Sequence, residues 1–227
     1  MKKKSILVAG LSVMIIASMA IAGTLAYFTD KQTATNTFTV GNVAITLDEA
    51  KVEKKGDKWV EVIDGETNKE VRTDNNTYTG VYPGAKLPKD PTVTVGAKSS
   101  DTYVRVKVTI SHAAAWKTAC EAHDITDLAD IFKGHVEADW RRDAITNNED
   151  DTITYVYNYV GGTDAGRLSA KGTTGALFTS VTIPSDFTGK ELAEIGAEEG
   201  FTMNIVADAI QAEGFTSVTA AFDAFDA

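Results

Sequence analysis

The stretch DTYVRVKVTI, residues 101–110, decides the fold class of this chain. Apolar and polar side chains alternate along it with a period of two, the pattern of a strand with one face on a core and one toward solvent. The apolar set is Val104, Val106, Val108 and Ile110, and the other set is Tyr103, Arg105, Lys107 and Thr109. We expect the apolar face to pack inside a β-sandwich and Arg105 and Lys107 to point outward, where charges discourage unwanted strand pairing.

Strand patterns also lie on the N-terminal side of this stretch. Phe38 and Val40 share one parity of the alternation, and Val43, Ile45 and Leu47 share the other. A β-bulge at residues 41–42 would bring both sets onto the core face. Residues 49–76 are charged and predict a surface hairpin with turns at 56–57 and 64–65. The carboxylates of that hairpin do not follow the spacing of a calcium loop, so we interpret them as a solvated surface.

The second half of the chain adds further strands and two helices. TITYVYNYV, residues 152–160, places Ile153 and three tyrosines on one face, which predicts packing within the sheet or, as the alternative, a subunit contact. A strand over 177–183 ends at Pro184, and Ser185 or Asp186 is expected to cap a short helix over 190–195. Residues 201–209 alternate again, and Ser217 is expected to cap an amphipathic C-terminal helix.

Residues 113–138 change from strand to helix character. Trp116, Ala119 and Cys120 have i, i+3, i+4 spacing, and a second set repeats it around Leu128. We predict two short helices, separated near 124–126 and ending at Gly134, inserted into the sandwich at about 112–138. The fold class is therefore mainly β, an antiparallel β-sandwich with short inserted helices and a C-terminal helix.

Few residues point to catalysis or to bound metal. Cys120 is the single cysteine, which excludes an intrachain disulfide and favours a buried thiol. The three histidines, His112, His123 and His135, are spaced by eleven and twelve residues and form no H-E-x-x-H motif. No nucleophile elbow, P-loop or dinucleotide fingerprint occurs. We predict no catalytic residue, metal or cofactor.

The N-terminus has the layout of a secretory signal peptide. Three lysines, residues 2–4, precede an uncharged apolar run over 6–22, and small residues follow. Cleavage could fall after Ala22 or after Ala26, and a retained membrane anchor is the alternative because the apolar run is long. The chain carries a formal charge of −10, which argues against nucleic acid and anionic membranes as partners.

Four stretches resemble the TasA/camelysin family of bacterial biofilm-matrix proteins. They are AGTLAYFTD (22–30), NTFTVGNVAITL (36–47), KDPTVTVGAKSSDTYVRVKVTI (89–110) and FTMNIVADAIQAEGF (201–215). Members of this family are processed by a dedicated, SipW-type signal peptidase, have a jelly-roll sandwich and, where they form fibres, donate an N-terminal strand to the next subunit. Residues 111–170 carry no motif of the family.

The resemblance implies cleavage between Ala26 and Tyr27 and three parts of the chain: a signal peptide (1–26), a donor arm (27–41) and a jelly-roll-like domain (42–227). The expected donor residues are Tyr27, Phe28, Thr33, Thr35, Thr37 and Phe38. The expected function is that of a secreted subunit of matrix fibres, outside the cell or at its surface. Its expected partners are further copies of itself, the signal peptidase and an anchoring or nucleating matrix protein. The alternatives are a camelysin-like surface metalloprotease and a monomeric adhesin.

Overall fold

A computed structural model describes residues 29–33, 36–37, 43–162, 164–196 and 200–227 of the chain, with side chains from residue 43 onward. The strands are β1 (Thr29–Thr33), β2 (Asn36–Thr37), β3 (Ile45–Ala50), β4 (Val52–Lys55), β5 (Lys58–Glu61), β6 (Arg72–Thr73), β7 (Lys86–Pro88), β8 (Thr92–Val95), β9 (Thr102–Ser111), β10 (Phe132–Lys133), β11 (Trp140–Asn147), β12 (Thr152–Tyr159), β13 (Thr173–Ala176), β14 (Ser180–Thr182) and β15 (Met203–Gln211). The helices are α1 (Ala113–Ala122), α2 (Gly189–Gly196) and α3 (Val218–Asp226), with a 3₁₀ turn at Leu128–Ile131.

The strands form a mainly antiparallel β-sandwich, as the alternation in the sequence predicts. The larger sheet has the order β11-β12-β9-β15-β1-β2. The opposite layer is made by β13-β8-β3-β6 and by β10-β14-β7, and β4 and β5 form a separate hairpin. The apolar face of β9 is fully buried and belongs to one core with residues of β3 and β8, such as Ile45 and Val93. The period-two prediction for residues 101–110 is therefore confirmed.

The prediction that Arg105 is an outward, solvent-facing charge is wrong. Its side chain does lie on the face opposite the main core, but helix α3 covers that face and leaves Arg105 only 3% exposed. A second apolar cluster fills the space between sheet and helix and includes Tyr103, Ile210 and Phe222. Ser217 caps α3, as predicted, by accepting a hydrogen bond from the N–H of Ala220.

The inserted segment forms one helix and one short turn. Trp116, Ala119 and Cys120 of α1 are buried, which confirms the spacing argument. The second predicted helix is a single 3₁₀ turn, because the chain enters strand β10 immediately after Ile131. Asp127 caps this turn by accepting a hydrogen bond from the N–H of Ala129.

Three local features differ from the predictions. Strands β11 and β13 carry no clear alternation in the sequence and were not predicted; residues 141–147 of β11 are all exposed. The predicted strand over 177–183 is strand only at β14. Helix α2 is capped by Thr188 and not by Ser185 or Asp186, because Thr188 and Glu191 exchange hydrogen bonds in a capping box.

Some predictions fall on residues that the structure does not describe. These are the signal peptide (1–26), the cleavage site at Ala26 and Tyr27, and the bulge at 41–42. Of the expected donor residues, Thr33 and Thr37 lie in β1 and β2, whereas Tyr27, Phe28, Thr35 and Phe38 lie outside the described residues. No helix within the described ranges is long and apolar enough to span a membrane.

Candidate assembly edge

Strand β15 ends the well-packed part of the larger sheet, and β1 covers its outer edge. β9 pairs with one side of β15 along its whole length. β1 pairs antiparallel with the other side over five residues, from Thr29 opposite Ile210 to Thr33 opposite Val206. β2 then pairs back onto the end of β1. The sequence did not indicate which strand the N-terminal segment pairs with. In the structure this strand is β15 of the same chain.

The uncovered strand β15 would be a favourable template for another strand. It offers two small, fully buried residues, Ala207 and Ala209, toward the core. Asp208 is its single charged residue, and that side chain is fully buried. A long apolar strand with a bare row of N–H and C=O groups pairs readily with any extended chain. The β15 edge therefore needs a covering strand, which β1 supplies.

The opposite edge of the same sheet, β11, has the features of a protected edge. Among the described strands it pairs with β12 alone, and its register shifts between Arg142 and Ala144. Arg141, Arg142 and Asp143 place three consecutive charges beside that irregularity, and all three are exposed. Bulges and exposed charges are the means by which natural sheets discourage edge-to-edge pairing. The two edges of the larger sheet thus differ in chemistry.

A buried ionic cluster lies beside the covered edge, under α3. Arg105 on β9 donates to Asp208 on β15 at 2.8 Å, and also to Asp226 on α3. The Lys107 ammonium lies 3.0 Å from the same Asp208 oxygen, Oδ2. Burial lowers the pKa of Arg105, but the hydrogen bonds to Asp226 and Asp208 raise it on balance, so the guanidinium stays charged. The Arg105 guanidinium also lies 4.3 Å from the Phe222 ring centre.

The tyrosines of β12 belong to the interior and not to an exposed contact surface. Tyr155, Tyr157 and Tyr159 are at most 5% exposed, and Trp140 packs edge-on against Tyr159. Burial raises the pKa of Tyr157 to about 12. Packing within the subunit, the first of the two interpretations of the tyrosine pattern, is therefore confirmed.

A cleft near β11 combines polar groups with aromatic residues. The aromatic residues include Trp140 and Tyr157, but these rings are buried. Among the described residues, Tyr82 is the one exposed aromatic ring, and it lies far along the chain from that cleft.

Two of the three histidines have a hydrogen-bond partner, and the two partners are different residues. His123 Nε2 lies 3.1 Å from both carboxylate oxygens of Glu191, and His135 Nδ1 lies 3.0 Å from the carbonyl oxygen of Leu177. His112 precedes α1 in the left-handed conformation, and its Nδ1 is buried. Within the described part of the chain, no three or more His, Cys, Asp or Glu residues are grouped so that they could hold a metal ion.

Comparison with known proteins supports the resemblance seen in the sequence. A family model described as camelysin metallo-endopeptidase matches residues 1–58, a range that includes the expected signal peptide and arm and the strands through β4. This family includes the TasA proteins, so the predicted resemblance is confirmed over those residues. No curated protein and no solved structure matches the chain. All three histidines lie beyond the matched range.

Proposed function

Because the camelysin match covers the leader and the arm, we propose that the chain is a secreted structural subunit of extracellular fibres. Proteins of the camelysin family are extracellular or cell-surface proteins. In the proposed assembly, β1 of one subunit leaves its own β15 and pairs with β15 of the next subunit. The growing end would then always present one uncovered β15 or one free arm.

The pairing of β1 with β15 is the observation that supports this proposal most directly. A short terminal strand that covers an edge can make the same contacts on an identical molecule, so exchange loses no interaction. Five paired residues provide a few backbone hydrogen bonds, each worth about 0.5–1.5 kcal/mol net. The summed free energy of these hydrogen bonds is large enough to hold the arm on β15 and small enough to allow the arm to exchange.

Deletion of residues 27–37 from the processed protein tests the proposal. The shortened chain keeps the acceptor strand but has no arm to donate, so electron micrographs should show no fibres. Fibres at normal yield from the shortened chain would refute assembly through the arm.

A mixing experiment makes the test more specific. The arm-deleted chain should accept the arm of a neighbour but donate none, so a few per cent of it added to full-length processed protein should shorten the fibres. The matched control is the same molar amount of extra full-length protein, which should lengthen them. Equal fibre lengths in both mixtures would contradict head-to-tail exchange.

The description of the matching family gives a second candidate, a surface metallo-endopeptidase. Metal analysis of purified protein and a casein-cleavage assay test it directly. The His123→Ala variant is the appropriate control because His123 is the histidine that lies beside a carboxylate. Bound zinc together with cleavage that depends on His123 would establish this candidate.

A further inference from the structure

A row of polar residues crosses the larger sheet under α3, one from each of five adjacent strands. Arg141 on β11 lies opposite Asn158 on β12, and Asn158 lies opposite Arg105 on β9. Arg105 lies opposite Asp208 on β15, and Asp208 lies opposite Lys31 on β1. Directly opposed residues of antiparallel strands share a face of the sheet. The row therefore continues from the folded body into the arm at Lys31.

Asp208 is only partly satisfied within the body. Its Oδ2 accepts from Arg105 and lies beside the Lys107 ammonium. Its Oδ1 is buried and has no hydrogen-bond partner among the side chains that the structure describes. A carboxylate oxygen can accept two hydrogen bonds, and leaving it unpaired in the interior is unfavourable. The acceptor strand thus carries a buried anionic oxygen at the position where the arm pairs.

The arm needs a feature that selects one register. Its threonines recur every second residue from Thr33 to Thr39, so a shift by two residues places threonine opposite nearly the same neighbours. Lys31 is the one cation among residues 27–42, and Asp30 is the one anion. A shift by one residue would place Asp30 or Gln32 opposite Asp208, and a shift by two would place a threonine there. Only the observed register sets a cation opposite the buried carboxylate.

We propose that Lys31, which lies opposite Asp208 in the observed register, fixes the register of the arm on β15, because only this alignment brings the positive charge of the arm to the buried carboxylate. The pairing acts on whichever β15 the arm occupies; its role between subunits rests on the proposed function. Lys31 is a specificity-determining residue for strand addition. The site that its charge recognises is the buried ionic cluster of Arg105, Asp208 and Lys107.

Cysteine cross-linking of the full processed chain, in a Cys120→Ala background, measures the register. Thr33→Cys with Val206→Cys reports the observed register, because these positions are opposed. Thr33→Cys with Asn204→Cys reports a shift by two residues. Each pair is combined with Lys31→Arg, with Lys31→Glu, or with the exchange of Asp30 and Lys31, which keeps composition and net charge constant. Fluorescence of the buried Trp116 and Trp140 verifies that the body is folded.

With Lys31 or Lys31→Arg, the Val206 pair should cross-link and the Asn204 pair should not. Lys31→Glu and the exchanged arm should each lower the yield of the Val206 pair by about tenfold, because a like charge then faces a buried carboxylate. An unchanged Val206 yield in both variants overturns the proposal. If the variants gave a ladder of covalent oligomers with an unchanged yield of the Val206 cross-link, the role of Lys31 would be refuted but arm exchange would stand. Cross-links only within monomers, still dependent on Lys31, would refute arm exchange alone.

Discussion

Arg105 on β9 and Asp208 on β15 form a buried ion pair, with 2.8 Å between Nη2 and Oδ2, at the point where the C-terminal helix crosses the sheet. Removing one partner of such a pair leaves an uncompensated charge in the interior. We expect Arg105→Met to lower the free energy of unfolding by about 3 kcal/mol, at the lower end of the usual range because Lys107 still faces Asp208. Urea unfolding followed by tryptophan fluorescence measures this change.

Asp226→Asn serves as the matched control for Arg105, because the Asp226 side chain is 54% exposed. In this variant Arg105 keeps its buried partner Asp208 and the exposed amide can still accept a hydrogen bond, so the loss of stability should be clearly smaller than that of Arg105→Met. A loss for Asp226→Asn equal to that for Arg105→Met would show that α3 docking, and not the buried charge, determines the stability.

Glu191 should make helix α2 sensitive to acid. Hydrogen bonds from the backbone and hydroxyl of Thr188, and then from His123, lower the pKa of Glu191 from 4.5 to about 2. Because the folded pKa lies below the unfolded value, the contribution of Glu191 is fully present above about pH 4.5 and is lost as the pH falls toward 2. Glu191→Gln should therefore lower the Tm at pH 7 but make little difference near pH 2.

The comparison for Glu191 is Glu194→Gln on the same helix. Glu194 makes an exposed ion pair with Lys190 at 3.6 Å. Its replacement should change the Tm by less than that of Glu191 at pH 7. Equal shifts for the two variants would count against the capping box as the cause.

Cys120 should be unreactive in the folded protein. Burial, followed by the nearby carboxylates of Asp130, Asp127 and Glu121, raises the pKa of this thiol to about 11. At pH 8 the thiol is therefore almost entirely protonated, and the protonated form is a poor nucleophile. Labelling with a chromogenic disulfide reagent should be slow in buffer and complete within minutes in 8 M urea, in the range where small domains unfold. Rapid labelling in buffer would indicate that α1 opens readily.

The charges of β11 should prevent association through that edge. We expect Arg141→Thr together with Asp143→Thr to produce lateral aggregates, detectable by light scattering, because the exposed strand then resembles an unprotected edge. Lys54→Thr with Lys58→Thr in the β4–β5 hairpin removes two charges outside the larger sheet and should leave the size distribution unchanged. Aggregation of both variants would point to lost solubility and not to strand pairing.

The strands of the core could be predicted because the alternation of apolar residues within each strand indicates which face is buried. β9 alternates strictly, and its four apolar residues enter the core as expected. The environment of Arg105 could not be predicted, since the burial of that side chain is caused by a helix more than one hundred residues later in the chain. A residue on the polar face of a strand gives no local sign that another element covers it.

The candidate assembly edge was predicted only in part. The arm was predicted through the resemblance to the TasA/camelysin family, but β15 as its pairing partner depends on strand order, which local patterns do not encode. β11 was missed because exposure on both faces removes the alternation that marks a strand. Asp208 could have been noticed as the single charge in an otherwise apolar strand pattern.

The pairing of β1 with its own β15 also bears on when polymers would appear. A tethered strand acts on its own body at an effective concentration on the order of millimolar for a short flexible link. If arms exchange as proposed, a subunit whose arm covers its own β15 is a closed monomer. Closed monomers are then in equilibrium with open, growing chains of subunits. Dilute secreted protein would then stay closed, and polymer would accumulate only where crowding at a surface, or a template that holds one arm open, shifts that balance.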